Sequence, residues 1–107
     1  MIGRLWHGWT PRENAESYEA LLRVEILPGI HRVPGYRGAL LMRREDGEEV
    51  EFVTLTFFAS LEAVRAFAGE DYEAAVVPPE ARAILSRFDA RSTHFETLLA
   101  PPDSMLL

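Results

Sequence analysis

Residues 51 to 58 read EFVTLTFF, a run suited to a β-strand in which no side chain after Glu51 carries a charge. Successive side chains of a strand point to opposite faces. Phe52, Thr54, Thr56 and Phe58 therefore share one face, and Val53, Leu55 and Phe57 share the other. The opening segment LWHGW, residues 5 to 9, behaves alike: Trp6 points one way while Leu5, His7 and Trp9 point the other. In ALLM, residues 39 to 42, Leu40 and Met42 alternate with Ala39 and Leu41. An antiparallel sheet with one wet side alternates apolar with charged residues. These strands do not, so the fold has to cover both faces of its sheet.

The rest of the chain supplies one cover. A first strand is predicted from Ile2 to Trp9, stopped by TPREN, where Thr10 or Asn14 is suited to cap a helix and Thr10 with Glu13 has capping-box spacing. Ala15, Tyr18, Leu22, Ile26 and Ile30 recur at helical spacing, with Pro28 and Gly29 placed to kink or end that helix. VPGYRG is a turn into a second strand, Tyr36 to Arg44, and the Asp-Gly of EDGEE makes a hairpin into a third, Glu49 to Phe58. Ser60 caps a second helix bearing Leu61, Val64, Phe67 and Ala68, closed by Gly69. YEAAVVPPEARAILSRF is predicted as two short helical turns hinged at Pro78 and Pro79, and a fourth strand as Asp89 to Leu99. The order β-α-β-β-α-β is the split βαβ pattern of a ferredoxin-like α+β sheet with both helices on one face. Residues 1–99 form that domain and 100–107 a tail, whose Met105 to Leu107 are placed to dock on a neighbour.

The other face needs a second cover, and 107 residues are too few for a third layer. A second copy of the same sheet supplies it: an interface of ~1,600 Å², ~65% apolar, outweighs an association cost of ~4 to 15 kcal/mol. The chain is thus expected to be a homodimer. The competing cover, the tail folded across the sheet of a monomer, is short for the task.

Charge and composition remove several function classes. A net charge of −6 argues against nucleic acid, since a phosphate-binding surface needs a cluster of cations, which this chain lacks outside Arg43 and Arg44. No apolar run approaches the ~20 residues of a membrane-crossing helix, and no export signal precedes the first strand, so the expected location is cytoplasmic. With no cysteine there is no disulfide, thiolate metal site or cysteine nucleophile. His7, His31 and His94 lack the short spacings of metal ligands, so no metal is expected.

The element order, together with LPGI, PGYRGALLMRRE, EFVTLTFF followed by SLEAVRAF, and YEAAVVPPEARAIL, resembles the antibiotic-biosynthesis monooxygenase family of dimeric α+β barrel proteins over residues 1 to 98. The resemblance implies a sheet-to-sheet dimer and an activity among cofactor-free oxygenases of polyketide quinones, quinol oxygenases and haem-degrading members. Haem degraders of the family resemble one another in an Asn on the first strand, a Trp on the second helix and a His just after it. The equivalent positions here hold Trp6, Phe67 and Val76, and no imidazole is offered to haem iron.

Strands one and four are antiparallel neighbours in such a sheet. A register centred on their midpoints sets His94 across from Trp6, and a slip of one residue pairs it with His7. His94 is the candidate general base, against the plainer role of a half-buried histidine bonded to a carbonyl or to Glu96. Tyr72, just past the second helix where the family's pocket mouth lies, is placed to orient a phenol, against the role of an ordinary amphipathic aromatic. Trp6, Phe58 and Phe67 are candidates to line an apolar pocket between sheet and helices, against service as plain core. The implied reaction is cofactor-free oxygenation of a small phenol or quinol, His94 taking its hydroxyl proton so that the anion reacts with O₂. The alternative is a dimeric small-ligand-binding or accessory protein without turnover. A cavity of a few hundred Å³ reaching a titratable group favours the enzyme; a packed interior favours the alternative.

Overall fold

The computed structural model describes residues 1–102, and the expected docking of Met105 to Leu107 lies outside the described residues. Five strands form one antiparallel sheet: β1 (Ile2–Pro11), β2 (Tyr36–Asp46), β3 (Glu49–Phe58), β4 (Arg87–Phe88) and β5 (Thr93–Glu96). Its order is β2-β3-β1, with β4 and β5 both along the free edge of β1. This is the ferredoxin-like arrangement, with the helices on one face.

The β2–β3 hairpin turns at Gly47, whose φ of +65° suits a residue without Cβ. β1 runs two residues beyond the predicted Trp9. Thr10 lies in the ladder opposite Val50 instead of capping a helix, and Pro11 leads into a 3₁₀ turn, Arg12–Asn14. No side-chain cap bond forms there, so the capping-box spacing of Thr10 and Glu13 goes unused.

The first helix neither ends nor breaks at Pro28. It runs as α1 (Ala15–Leu21), a π-helical turn (Leu22–Ile26) and α2 (Leu27–Ile30). Pro28 has no N–H to give one turn back, and just ahead of it the ladder slips to wider spacing, Leu27 N–H bonding the Leu22 carbonyl. The second helix is α3 (Leu61–Ala68), begun as expected by Ser60, whose Oγ accepts from the Ala63 N–H at 3.2 Å.

Two predicted elements fail for one shared reason. Of the two helical turns expected at 72–88, only α4 (Pro79–Ile84) forms; Asp71 to Ala74 make a single hydrogen-bonded turn, and residues 73–75 lie as a strap beside residues 90–92. There Ala75 N–H bonds the Ala90 carbonyl and Ser92 N–H bonds the Glu73 carbonyl. The predicted fourth strand, Asp89 to Leu99, is accordingly cut down to β5, with the two-residue β4 ahead of it, because residues 90 to 92 turn from β1 to pair with the 73–75 strap. Arg4 reinforces this, donating to the Tyr72 and Ala74 carbonyls that a helix would use internally.

The helix-covered face carries the core. Tyr18, Leu22, Val50, Phe52 and Ala81 pack at one end, and Leu27, Ile30, Ala39, Phe58 and Val64 at the other. On the opposite face two cross-strand rows run through the sheet: Leu40–Leu55–Leu5–Thr93 and Gly38–Phe57–Gly3–Phe95. Met42 and Phe95 there are 49% and 52% exposed. Phe57 in the middle of this face is nonetheless buried, and Leu5, Leu40 and Leu55 are half-buried.

Candidate functional site

The even-numbered residues of β1 point toward the helices. Arg4 lies opposite Thr56 and His94, and Trp6 opposite Thr54. The predicted register is therefore off by two residues: His94 faces Arg4, not Trp6 or His7. The side-chain parity holds, since a shift of two keeps a residue on its face. The shift follows from the break at 89–92, which a continuous strand does not allow for.

Between sheet and helices lies a cavity of about 60 Å³. Trp6, Tyr18, Leu22, Ile26 and Phe67 give it an apolar body, and Val76 to Pro78 close one side. Its polar wall is Arg4, Thr54, Thr56 and Ser92, so no carboxylate faces it. Trp6 is held by its indole N–H donating to the Asp89 carbonyl at 2.8 Å. Gly8 leaves room for that indole: a Cβ there would sit 2.7 Å from the ring. Burial pushes the Tyr18 hydroxyl well above the usual tyrosine range.

Of the candidate pocket residues, Trp6 and Phe67 line the cavity. Phe58 lies behind Phe67, fully buried, the two rings stacked at 5.6 Å. His94 and Tyr72 come together, with ring centroids 5.1 Å apart, but they line an outer groove and not the cavity itself. Arg4 stands between the two. It reaches the cavity on one side, and its Nη1 lies 3.0 Å from His94 Nε2 on the other.

A guanidinium only donates, so His94 Nε2 accepts and the proton of the neutral ring sits on Nδ1. That Nδ1 is buried and finds no hydrogen-bond partner among the described residues. Burial first, then the charge of Arg4, lowers the His94 pKa below 6.5, with Glu73 opposing. His94 is therefore neutral at pH 7. Arg4 itself is 5% exposed, lies over the Phe67 ring at 5.6 Å, and has no carboxylate partner among the described residues. Arg4 escaped the sequence reading, although a charged residue two positions before Trp6 necessarily shares its face.

His31 follows α2 as its C-cap and packs on Tyr36. His7 lies on the open face, bonded through Nδ1 to Asp89 at 2.8 Å. No metal-ligating group of three or more His, Asp or Glu occurs among the described residues, and no helix is long and apolar enough to cross a membrane.

No family model matches the sequence, and no curated protein matches it. Solved structures do, and they carry the fold that the resemblance implied. A variant of MhuD with two manganese protoporphyrin IX molecules bound per active site is 21% identical, with a TM-score of 0.65 over 94% of this chain and 98% of that one. Rv0793 from Mycobacterium tuberculosis is 18% identical, with a TM-score of 0.58 over 94% and 98%. A candidate antibiotic biosynthesis monooxygenase from Chloroflexus aurantiacus is 11% identical, with a TM-score of 0.59 over 94% and 95%.

Proposed function

We propose that this protein is a homodimeric, cofactor-free oxygenase of a small phenol or quinol, joined through its open sheet face. The observation that carries the reading is the apolar cavity between sheet and helices whose polar end, Arg4, is one residue removed from a neutral imidazole. The apolar body holds the ring, and His94 Nε2 takes the hydroxyl proton once the substrate displaces it from Arg4. Tyr72, whose ring lies beside His94, orients the phenol. The electron-rich anion then reacts with O₂. A phenol carbon loses its hydrogen and gains one oxygen as a quinone carbonyl, and the other oxygen leaves as water.

Haem chemistry, named for MhuD, does not fit these residues. Trp6, Phe67 and Val76, the positions laid over the haem-site Asn, Trp and His, do line the cavity, but none offers iron a ligand. A space of about 60 Å³ also lies far below the ~300 Å³ or more of a pocket that holds even a small organic ligand.

That volume favours a second reading, a dimeric ligand-binding or accessory protein without turnover, because an occupied catalytic pocket usually measures ~300 Å³ or more. The wall that yields for a ring-sized substrate under the first reading includes Leu22 and Ile26 of the π-helical turn. One experiment separates the two: 1-naphthol under ¹⁸O₂, with wild type against His94→Ala. The oxygenase reading expects labelled 1,4-naphthoquinone from wild type only. Equal turnover by the variant removes His94 from the reaction, and no turnover by wild type leaves the binding reading.

A further inference from the structure

We propose that the cavity is an oxyanion site: Arg4 binds the carboxylate or phenolate head of a small ligand whose apolar body lies toward Tyr18, Leu22 and Phe67. The inference rests on reading the cavity as a ligand site, and holds with or without turnover.

The chain has 17 acidic residues against 11 arginines, and the structure pairs Arg12, Arg23, Arg43, Arg44, Arg87 and Arg91 with carboxylates on its surface. Such exposed pairs contribute little. Arg4 is the arginine for which a counter-ion matters most, because a buried unpaired cation costs several kcal/mol. It is 5% exposed, yet no carboxylate pairs with it among the described residues. Its protein contacts are two carbonyls, the neutral nitrogen of His94 and the face of Phe67. These hold the guanidinium in place and leave its charge uncompensated.

The cavity that Arg4 faces is built to match. Its other polar residues are the hydroxyl-bearing Tyr18, Thr54, Thr56 and Ser92, of which Thr54 and Ser92 can donate to an anion, and no acidic side chain lines it to compete. Thr56 Oγ1 is spent on the Arg4 carbonyl at 3.4 Å, which ties the backbone of Arg4 to β3. A cation held in an apolar-walled cavity attracts an anion more strongly than it does in bulk water. The planar fork of a guanidinium also suits two oxygens of one head group. The volume admits a head of a few heavy atoms directly, and a ring only with movement of the wall.

Isothermal titration in chloride-free buffer tests this with acetate against acetamide and benzoate against benzamide. The expected result is at least one acid binding tenfold or more tighter than its amide, the preference lost in Arg4→Gln and largely restored in Arg4→Lys. If an amide binds as well as its acid, the anion inference falls and the ligand cavity stands. If no probe binds, both fall. Should Arg4→Gln not fold, bromide soaked into wild-type crystals decides: an anomalous peak beside the Arg4 guanidinium supports the site, and its absence there overturns it. A purely structural Arg4, serving to tie down the 72–74 strap, yields neither charge preference nor peak.

Discussion

Arg4 Nη1 donates to His94 Nε2 across 3.0 Å, a cation bonded to the one nitrogen that would otherwise take up a proton. Folding therefore fixes His94 as the neutral ring with its hydrogen on Nδ1. Most of what the site can do follows from that pair.

Its first consequence is a pH dependence. The folded pKa of His94 lies below 6.5, through burial and then Arg4, so the unfolded chain binds more protons as the solution is acidified. The stability tied to neutral His94 is complete above about pH 6.5 and declines as pH falls through 6.5 toward the lowered folded value. In His94→Gln an amide oxygen still accepts from Arg4 but does not titrate. The melting temperature of wild type should fall more steeply between about pH 7.5 and 5.5 than that of the variant. Parallel curves would contradict the assignment.

Gly8→Ala places a methyl 2.7 Å from the Trp6 indole and 3.1 Å from Leu85, on the face that lines the cavity. Overpacking of this kind costs about 1–3 kcal/mol. Urea unfolding should show that loss, together with a changed indole emission as Trp6 is displaced from its bond to the Asp89 carbonyl. Unchanged stability and emission would mean that Trp6 is not held as described.

Thr10 is fully buried, and its Oγ1 has no hydrogen-bond partner among the described residues. Thr10→Val keeps the shape and removes an unpaired hydroxyl, so the variant should match wild type or gain about 1 kcal/mol in denaturant unfolding. A loss of more than about 1 kcal/mol would show that the hydroxyl has a partner.

How far the sequence carries depends on whether a feature is local. The Asp46–Gly47 turn, the Ser60 cap and the two-faced apolar pattern of β3 are set by neighbours in the chain, and each is found where expected. The side-chain parity of β1 and the cavity positions of Trp6 and Phe67 follow from the same periodicity. What stayed hidden is non-local. Residues 90 to 92 leave β1 for the strap at 73–75, and nothing in RFDARSTHF announces that trade of backbone partners. His94 was therefore set two residues from its true neighbour. Arg4 was overlooked because a charge inside an apolar strand becomes meaningful only once its face is known to be covered. The volume of a cavity depends on side-chain packing, which periodicity does not encode.

A sheet apolar on both sides, with helices on one, is expected to take a second copy of itself on the other. Multi-angle light scattering at micromolar concentration, on wild type and on Leu55→Glu at the centre of the open face, decides the matter. Wild type should form a particle of twice the 12.1 kDa chain, and the variant a single chain with its circular dichroism intact. A wild-type particle of one chain would rule out the sheet-to-sheet dimer.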